Sequence, residues 1–279
     1  MSGEADGFRD AVVDEYAGRF LVQWQSDRVE DALYGRLQGH SVYEQIITKQ
    51  RRTTPQCVRG EAITERFPVR ENGLTFLVNF GEGLSTGVFL DQRENRRRLL
   101  AADLAGKTLL NCFAYTCAFS VAAAKAGAVT TSVDLSRRYL DWGKDNFCAN
   151  ALNTAAQEFL VGDVFEWLKR FAKRGRTWDI VMLDPPTFST TKKGRRFQAA
   201  RDYGELCRLA IPLVKKGGLL FASTNQRTIA PAEFEHTLRD AARDCDRVIA
   251  SADFETLPLD FRVAEGERPY LKTEWVSLE

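Results

Sequence analysis

The sequence predicts an α/β fold with a doubly wound, mostly parallel sheet of seven strands, preceded by a small α+β domain. From Leu104 onward short apolar segments alternate with helical segments, which is the pattern of a parallel sheet. The apolar run Ile180 to Leu183 has no polar alternation, as expected of a strand buried on both faces. Residues 254–269, between the last two strands, show no helical pattern, so a hairpin and an antiparallel last strand are expected.

The small α+β domain is predicted over residues 1–85, and the larger sheet domain over residues 86–279. Residues 20–24 have a strand-like pattern, and residues 27–39 are helical in composition. Residues 46–47 resemble a strand that ends in a basic tip containing Lys49, Arg51 and Arg52. Asn72-Gly73 separates two further strand-like runs and is the residue pair preferred in type I′ hairpin turns.

The larger domain contains alternating elements that can be placed by their apolar patterns. Its strands are expected at 108–111, 129–134, 158–161, 180–183, 219–223, 248–253 and 270–278. Its helices are expected at 119–126, 136–151, 164–174, 201–214 and 231–245. Gly217-Gly218 is expected to turn into the fifth strand. Arg96, Arg97 and Arg98 fall on a helix before the first of these strands, where a solvated helix face is the plain alternative to a functional role.

Composition limits the classes of function. No apolar run approaches the roughly 20 residues that span a membrane, and the acidic, polar start is unlike a signal peptide. We therefore expect a cytoplasmic protein without a membrane partner. The six cysteines are scattered without a Cys-x-x-Cys pair, so neither a zinc site nor a disulfide framework is expected. The net charge of +1 does not by itself indicate or exclude a nucleic-acid partner.

The motif Asp184-Pro185-Pro186-Thr187-Phe188 follows the most apolar strand. Ligands of open α/β sheets bind at the carboxyl ends of the strands, where Asp184 stands. The two prolines fix φ and stiffen the loop that follows the strand, so the carboxylate and the Phe188 ring on that loop are held rigidly. Such a pair can grip a planar base by its hydrogen-bonding edge and its face. The alternative is an acidic helix cap beside a core phenylalanine.

The loops after the first three strands suit a ligand without a pyrophosphate. Residues 111–118 contain no glycine, whereas a dinucleotide site would need several. Asp134 ends the second strand, about 20 residues after the first loop, where an acidic residue pairs with ribose hydroxyls. Asp163 follows the third strand and can accept a hydrogen bond from an exocyclic amine. The alternative for both residues is that each caps the helix after it.

Four segments together carry a family resemblance: Thr86 to Arg93, Leu110 to Thr116, Ser132 to Ser136 and Leu183 to Ser189. They resemble the class I S-adenosylmethionine-dependent methyltransferases, and more closely the bacterial 23S rRNA large-subunit methyltransferases of the RlmK and RlmI type. The likeness covers residues 14–279 and implies a Rossmann-like sheet with an antiparallel last strand.

The resemblance implies S-adenosyl-L-methionine as the cofactor and assigns residues to it. The residues implied to bind it are Gln92, Arg93, Asn111, Phe113, Ala114, Tyr115, Thr116, Asp134, Leu135, Ser136, Asp163, Val164 and Asp184. Gln92 and Arg93 would lie by its methionine end, Asp134 at its ribose and Asp163 at its adenine. Cys117 and Ala118 stand where the family usually has glycines, so a Cβ there is expected to crowd the methyl donor.

The acceptor atom can be narrowed by chemistry. Cytosine C5 reacts only after a thiolate adds to the ring, and the cytosine-modifying relatives carry that cysteine just after the fifth strand. This chain has Ala222 to Asn225 there, without cysteine. Guanine N7 has an in-plane lone pair and needs no covalent step, so N7 is favoured, with an exocyclic nitrogen second. Asp184, Pro185, Pro186 and Phe188 are the predicted catalytic residues.

The acceptor is expected to be RNA, with large-subunit rRNA implied by the resemblance. The residues predicted to bind it are Phe188, Lys192, Lys193, Arg195, Arg196 and Asn225. Basic residues of this kind contact phosphates and position a strand without reading it. The alternatives are a soluble flexible loop, a methyltransferase for small molecules or proteins, and a non-catalytic protein that binds the cofactor or RNA. A homodimer is left open.

Overall fold

The computed structural model describes residues 10–27, 31–48, 50–83, 85–190, 196–255, 257–261, 263, 266 and 268–279, which divide into two compact units. The first unit comprises the residues up to Asp91 together with the later segment Pro258–Arg268. The second unit comprises Gln92–Leu257 and Pro269–Glu279. The division at Asp91 falls a few residues after the expected boundary at residue 85.

The first unit has a four-stranded sheet in the order β1-β2-β3-β4 and a separate hairpin of β5 and β6. Its elements are β1 (Ala11–Tyr16), β2 (Arg19–Trp24), α1 (Asp31–Arg36), β3 (Ser41–Ile46), β4 (Gln56–Gly60), β5 (Phe67–Glu71) and β6 (Leu74–Val78). Strands β2 and β3 are parallel, with α1 between them in the chain. Asn72 and Gly73 have φ of 50° and 79°, as a type I′ turn requires, so the predicted hairpin is confirmed.

The second unit alternates strands and helices as predicted. Its elements are α2 (Arg93–Ala101), β7 (Thr108–Cys112), α3 (Ala118–Lys125), β8 (Val129–Asp134), α4 (Arg137–Ala149), β9 (Glu158–Val161), α5 (Val164–Lys173), β10 (Trp178–Leu183), β11 (Phe188–Thr190), β12 (Arg196–Gln198), α6 (Ala199–Ala210), β13 (Val214–Thr224), α7 (Pro231–Asp244), β14 (Ile249–Glu255) and β15 (Lys272–Leu278).

The large sheet has seven strands in the order β14-β15-β13-β10-β7-β8-β9. Strands β13, β10, β7, β8 and β9 pair in parallel, whereas β15 is antiparallel to both β13 and β14. The predicted doubly wound sheet with an antiparallel last strand is therefore confirmed. The strand order reverses between β7 and β10, and the crevice at such a switch point is where open α/β sheets bind ligands.

Both faces of the sheet are covered. Leu110 and Val181 belong to the core that the sheet forms with α5, α6 and α7. On the opposite face Phe119 of α3 packs against Phe221, which packs against Trp275. No helix in the described ranges is long and apolar enough to cross a membrane.

Three local expectations are corrected by the structure. Phe188 lies not on a loop but at the start of a β11–β12 hairpin. Strand β13 begins before Gly217, which has φ of 72° within a bulge between two pairings with β10. Arg96 is 2% exposed, because α2 packs that residue against Phe119. A solvated face therefore describes only part of the arginine triplet.

Candidate active site

The loop between β7 and α3 adopts a backbone that usually needs glycine. Phe113, Tyr115 and Cys117 have φ of 61°, 49° and 61°. A non-glycine residue in the left-handed region costs on the order of 1–3 kcal/mol, and such residues persist only where surrounding structure holds them. Here the Ala114 N–H donates to the Val133 carbonyl at 2.9 Å, and the Cys117 N–H donates to the Ala114 carbonyl at 2.7 Å.

Asp134, at the end of β8, holds this loop in place. Its Oδ2 accepts the Tyr115 N–H at 2.9 Å, and its Oδ1 accepts the Ser136 N–H at 2.8 Å. Burial raises the pKa of the Asp134 carboxyl, and these two N–H groups act against that rise. An ionised carboxylate offers about four lone-pair sites. The carboxylate can therefore accept two hydroxyl donors of a ligand while it anchors the loop.

Asp163 follows β9 and is the N-cap of α5. Its Oδ1 accepts the Phe165 N–H at 2.8 Å, and the next residue, Val164, is buried. Capping accounts for one carboxylate oxygen and leaves the second able to accept from a ligand amine. Leu135, the residue after Asp134, is 36% exposed. Val161, the last residue of β9, is 37% exposed. They give the strand ends apolar surface beside two carboxylates.

The cysteine that replaces a family glycine is accommodated by a glycine elsewhere. Cys117 is fully buried, and a Cβ added at Gly143 of α4 would lie 2.5 Å from the Cys117 Sγ. The Cys117 side chain therefore packs against α4, in the space that the missing side chain at position 143 leaves. The packing accounts for the Cys117 sulfur, and crowding of the donor at Cys117 and Ala118 stays a prediction. No sequence pattern links the two positions.

Asp184 is held by a buried glutamine from the start of α2. Gln92 Nε2 donates to Asp184 Oδ1 at 3.2 Å and to Ser223 Oγ at 2.8 Å. Gln92 is 2% exposed. The structure thus brings Gln92 and Asp184 together as hydrogen-bonded neighbours, whereas Arg93 pairs with the adjacent Glu94 at 3.7 Å.

The segment after Asp184 presents an aromatic ring to solvent. Pro185 is buried and Pro186 is exposed, and Phe188 at the start of β11 is 52% exposed. Thr187 Oγ1 donates to Asn225 Oδ1 at 2.6 Å, which joins the exits of β10 and β13. Such exposure of a large aromatic ring at a strand end makes it available for stacking.

The hairpin that carries Phe188 is attached to the loop after β7. Phe197 of β12 is buried, with its ring centroid 5.9 Å from that of Phe113. Arg196 is exposed on β12 opposite Thr190. Three of the predicted RNA-binding residues, which follow β11 in the sequence, lie outside the described residues: Lys192, Lys193 and Arg195.

Two buried thiols lie near the carboxyl edge of the sheet. Burial raises the pKa of Cys117 to about 12 and the pKa of Cys112 well above its usual range. A thiolate is therefore strongly disfavoured at both positions. Strand β13 ends with Ser223 and Thr224, and Asn225 follows it.

Sequence reasoning missed Ser223 and Tyr203. The Tyr203 hydroxyl of α6 donates to the Ser223 carbonyl at 2.9 Å and lies 3.4 Å from the Leu183 carbonyl, next to Asp184. The Tyr203 hydroxyl therefore bridges the carboxyl ends of β10 and β13. The contact depends on how α6 packs on the sheet, and the sequence around Tyr203 carries no signal for it.

Comparisons with known proteins agree on one family. A family model described as S-adenosylmethionine-dependent methyltransferase matches residues 34–261. A putative ribosomal RNA large subunit methyltransferase of Bacillus subtilis is 36% identical, over 98% of this chain and 72% of that protein. Ribosomal RNA large subunit methyltransferase I of Aeromonas salmonicida is 32% identical, over 88% of this chain and 65% of that protein. This chain thus spans somewhat less than two thirds of the second relative.

A solved structure is also similar along nearly the whole chain. It is described as a putative methyltransferase complexed with SAH. Its TM-score is 0.90 with 32% sequence identity, and the match covers 99% of this chain and 74% of that one.

Proposed function

Since the chain belongs to the S-adenosylmethionine-dependent methyltransferase family, we propose that it methylates a base of large-subunit ribosomal RNA, with guanine N7 as the acceptor atom. The names of its relatives support the RNA class. The observation that carries the proposal is the carboxylate of Asp184, which accepts a hydrogen bond from Gln92 and is followed four residues later by the exposed ring of Phe188.

The residues at the carboxyl ends of β7, β8 and β9 fit the cofactor, S-adenosylmethionine. When bound, it supplies a methyl group made electrophilic by a positively charged sulfur. Asp134 has unused lone pairs for the two ribose hydroxyls, and Asp163 has an oxygen left for the adenine amine. Leu135 and Val161 would cover the flat adenine faces with apolar surface. Gln92 and Arg93 would lie towards the methionine end.

The acceptor base is held by Phe188 and Asp184 in this proposal. Stacking on an aromatic ring is worth about 1–3 kcal/mol per base, and Asp184 can accept hydrogen bonds from the N–H groups on the guanine edge away from N7. Methyl transfer to N7 leaves a cationic base, which the negative charge of Asp184 stabilises. Placement in line with the methyl group is then the main contribution of the protein.

The positions of the cysteines argue against cytosine C5. The carboxyl end of β13 presents Ser223, Thr224 and Asn225, and the thiols of Cys112 and Cys117 are buried with raised pKa. A covalent adduct needs a thiolate that reaches the base. An exocyclic nitrogen is the second candidate acceptor, because Asp184 could accept a proton of the amine and localise its lone pair.

RNA binding is proposed for the β11–β12 hairpin and for the first unit. Arg196 is exposed on the hairpin, and Lys192, Lys193 and Arg195 are its neighbours in sequence. Asn225, which follows β13, is linked to the residues before the hairpin by its hydrogen bond with Thr187. The first unit would add phosphate contacts, since phosphate contacts supply most of the sequence-independent affinity for RNA.

Nucleoside mass spectrometry tests the acceptor atom. Ribosomal RNA from a strain that lacks the protein is incubated with the purified protein and isotopically labelled S-adenosylmethionine. We expect labelled 7-methylguanosine, and its absence from a reaction with the Asp184→Ala variant serves as the control. Labelled 5-methylcytidine or an N-methylated exocyclic amine would overturn N7 but keep the RNA assignment. No label in RNA, with label in small molecules or protein, would overturn both.

A further inference from the structure

A chain of three buried side chains stands behind Asp184. Trp275 Nε1 of β15 donates to Asn95 Oδ1 at 2.8 Å. Asn95 Nδ2 donates to Gln92 Oε1 at 2.8 Å, and Gln92 Nε2 donates to Asp184 Oδ1 at 3.2 Å. Trp275, Asn95 and Gln92 are each 2% exposed. Because water has so little access, these hydrogen bonds have few competitors.

The direction of donation along this chain is fixed from the tryptophan end. An indole N–H is only a donor, so the atom of Asn95 that faces it must be the carbonyl oxygen. The amide nitrogen of Asn95 then faces Gln92 and requires the Gln92 oxygen as its acceptor. The nitrogen of Gln92 is thereby left to face Asp184. An amide flipped at either residue would set donor against donor and acceptor against acceptor.

The remaining amide hydrogens strengthen the same orientation. The second Asn95 Nδ2 hydrogen points to Thr273 Oγ1 at 3.5 Å, and the second Gln92 Nε2 hydrogen points to Ser223 Oγ at 2.8 Å. Thr273 and Ser223 are fully buried and lie opposite each other on β15 and β13. Both amides therefore use both of their N–H donors, and their oxygens accept from Trp275 and Asn95.

We propose that Trp275 and Asn95 are positioning residues for methyl transfer, which set the Gln92 amide so that an N–H, and not an oxygen, faces Asp184. The inference rests on the proposed function in taking Asp184 as the group that faces the acceptor base. Asn95 and Gln92 are three residues apart, which places them on one face of the first turn of α2. Trp275 enters the site from a strand 180 residues later in the chain.

Reversal of the chain would act on Asp184 directly. If the Gln92 oxygen faced the carboxylate, two electron-rich oxygens would repel each other and the carboxylate would turn away. The accepting base would lose its alignment with the methyl group, and small misplacements of reacting groups cost about a hundredfold in rate. Binding of S-adenosylmethionine would be largely preserved, because its ribose and adenine are assigned to Asp134 and Asp163, and Gln92 would meet only its methionine end.

The test compares Trp275→Phe with Trp178→Phe. Both tryptophans are buried, at 2% and 3% exposure, and each donates one indole hydrogen bond, from Trp178 to Thr131 Oγ1 at 3.4 Å. Only Trp275 leads to Asp184. We expect Trp275→Phe to lower the single-turnover rate at saturating rRNA at least tenfold and to leave the calorimetric Kd for S-adenosylmethionine within about twofold. Trp178→Phe should keep the rate near that of the wild type.

A second variant and a readout without turnover complete the test. In Asn95→Asp one carboxylate oxygen still accepts from the indole. The other oxygen replaces the amide nitrogen that donated to Gln92, so Gln92 must turn its own nitrogen towards position 95 and away from Asp184. We expect a rate loss at least as large as in Trp275→Phe, again with little change in cofactor Kd. In the free protein, the Trp275 indole proton should exchange slowly with solvent in the wild type and faster in Asn95→Leu.

Wild-type rates in both Trp275→Phe and Asn95→Asp would overturn the inference. The hydrogen-bonded side chains would then serve only to hold α2 in place. Equal rate losses in Trp275→Phe and Trp178→Phe would also overturn it, because the effect would then be one of general stability. A wild-type protein that transfers no methyl group to rRNA would instead overturn the proposed function itself, and the inference with it.

Discussion

Gly143→Ala probes how the cofactor loop tolerates a cysteine at a left-handed position. A Cβ at 143 would stand 2.5 Å from the Sγ of Cys117 and 2.9 Å from its Cβ, well inside van der Waals contact. Overpacking of this kind costs about 1–3 kcal/mol, whereas alanine in a helix interior regains about 1 kcal/mol over glycine. We expect a net loss of up to about 2 kcal/mol in the free energy of unfolding.

The effect of Gly143→Ala on the free energy of unfolding should change sign when Cys117 is replaced by glycine. In Cys117→Gly the sulfur and its Cβ are gone, and glycine tolerates the φ of 61° without strain. Of the three nearest atoms, the Thr116 carbonyl carbon remains, at 3.3 Å from the new Cβ. Alanine at 143 should then stabilise the protein by up to about 1 kcal/mol, because its helix propensity is left as the main term.

Urea denaturation of the four proteins in this double-mutant cycle measures the coupling, which we expect at about 1–3 kcal/mol. Calorimetric titration with S-adenosylmethionine should show weaker binding in Gly143→Ala and recovery in the double variant, since the displaced Cys117 belongs to the cofactor loop. If Gly143→Ala costs the same with and without Cys117, the two side chains do not compete for one space and the account of this loop is wrong.

Three further predictions concern the site and its surroundings. Asp134→Ala should weaken S-adenosylmethionine binding by about 1.5–3 kcal/mol, as expected for a lost charged hydrogen bond; unchanged calorimetric affinity would remove Asp134 from the site. Phe188→Ala should mainly weaken RNA binding and Asp184→Ala mainly slow single-turnover methyl transfer, with little change in thermal stability; wild-type rates in Asp184→Ala would make the motif structural. Burial raises the pKa of Glu274 to about 7, so its favourable contribution to folding is lost as pH rises from about 5 through 7. Glu274→Gln should therefore raise Tm over the wild type at pH 8 and leave it nearly unchanged at pH 5, and a pH-independent difference would contradict this.

Much of the fold could be predicted from local patterns. Alternation of apolar strands and helices determines a parallel sheet, because each buried strand needs a crossover helix to return to the same edge. The carboxyl ends of parallel strands then share one edge, so Asp134, Asp163 and Asp184 could be assigned to a common site by position alone. The hairpin at Asn72-Gly73 followed from backbone preference, since both residues tolerate positive φ.

The partners of those carboxylates could not be predicted from the sequence. Gln92 and Asp184 are 92 positions apart, and Trp275 reaches Asn95 across 180 positions. Periodicity records which face of an element is buried, but not which buried polar groups meet, because that depends on how α2 packs against β13 and β15.

Sequence patterns alone determined the sheet, its carboxyl edge and the acids that stand there. Tertiary structure decided what each acid is bonded to, that Phe188 begins a hairpin, and that Cys117 fits against Gly143. The physical reason is one of range. Strand and helix patterns arise from interactions within a few residues, whereas the orientation of a buried amide or thiol is fixed by neighbours that the chain brings together only on folding.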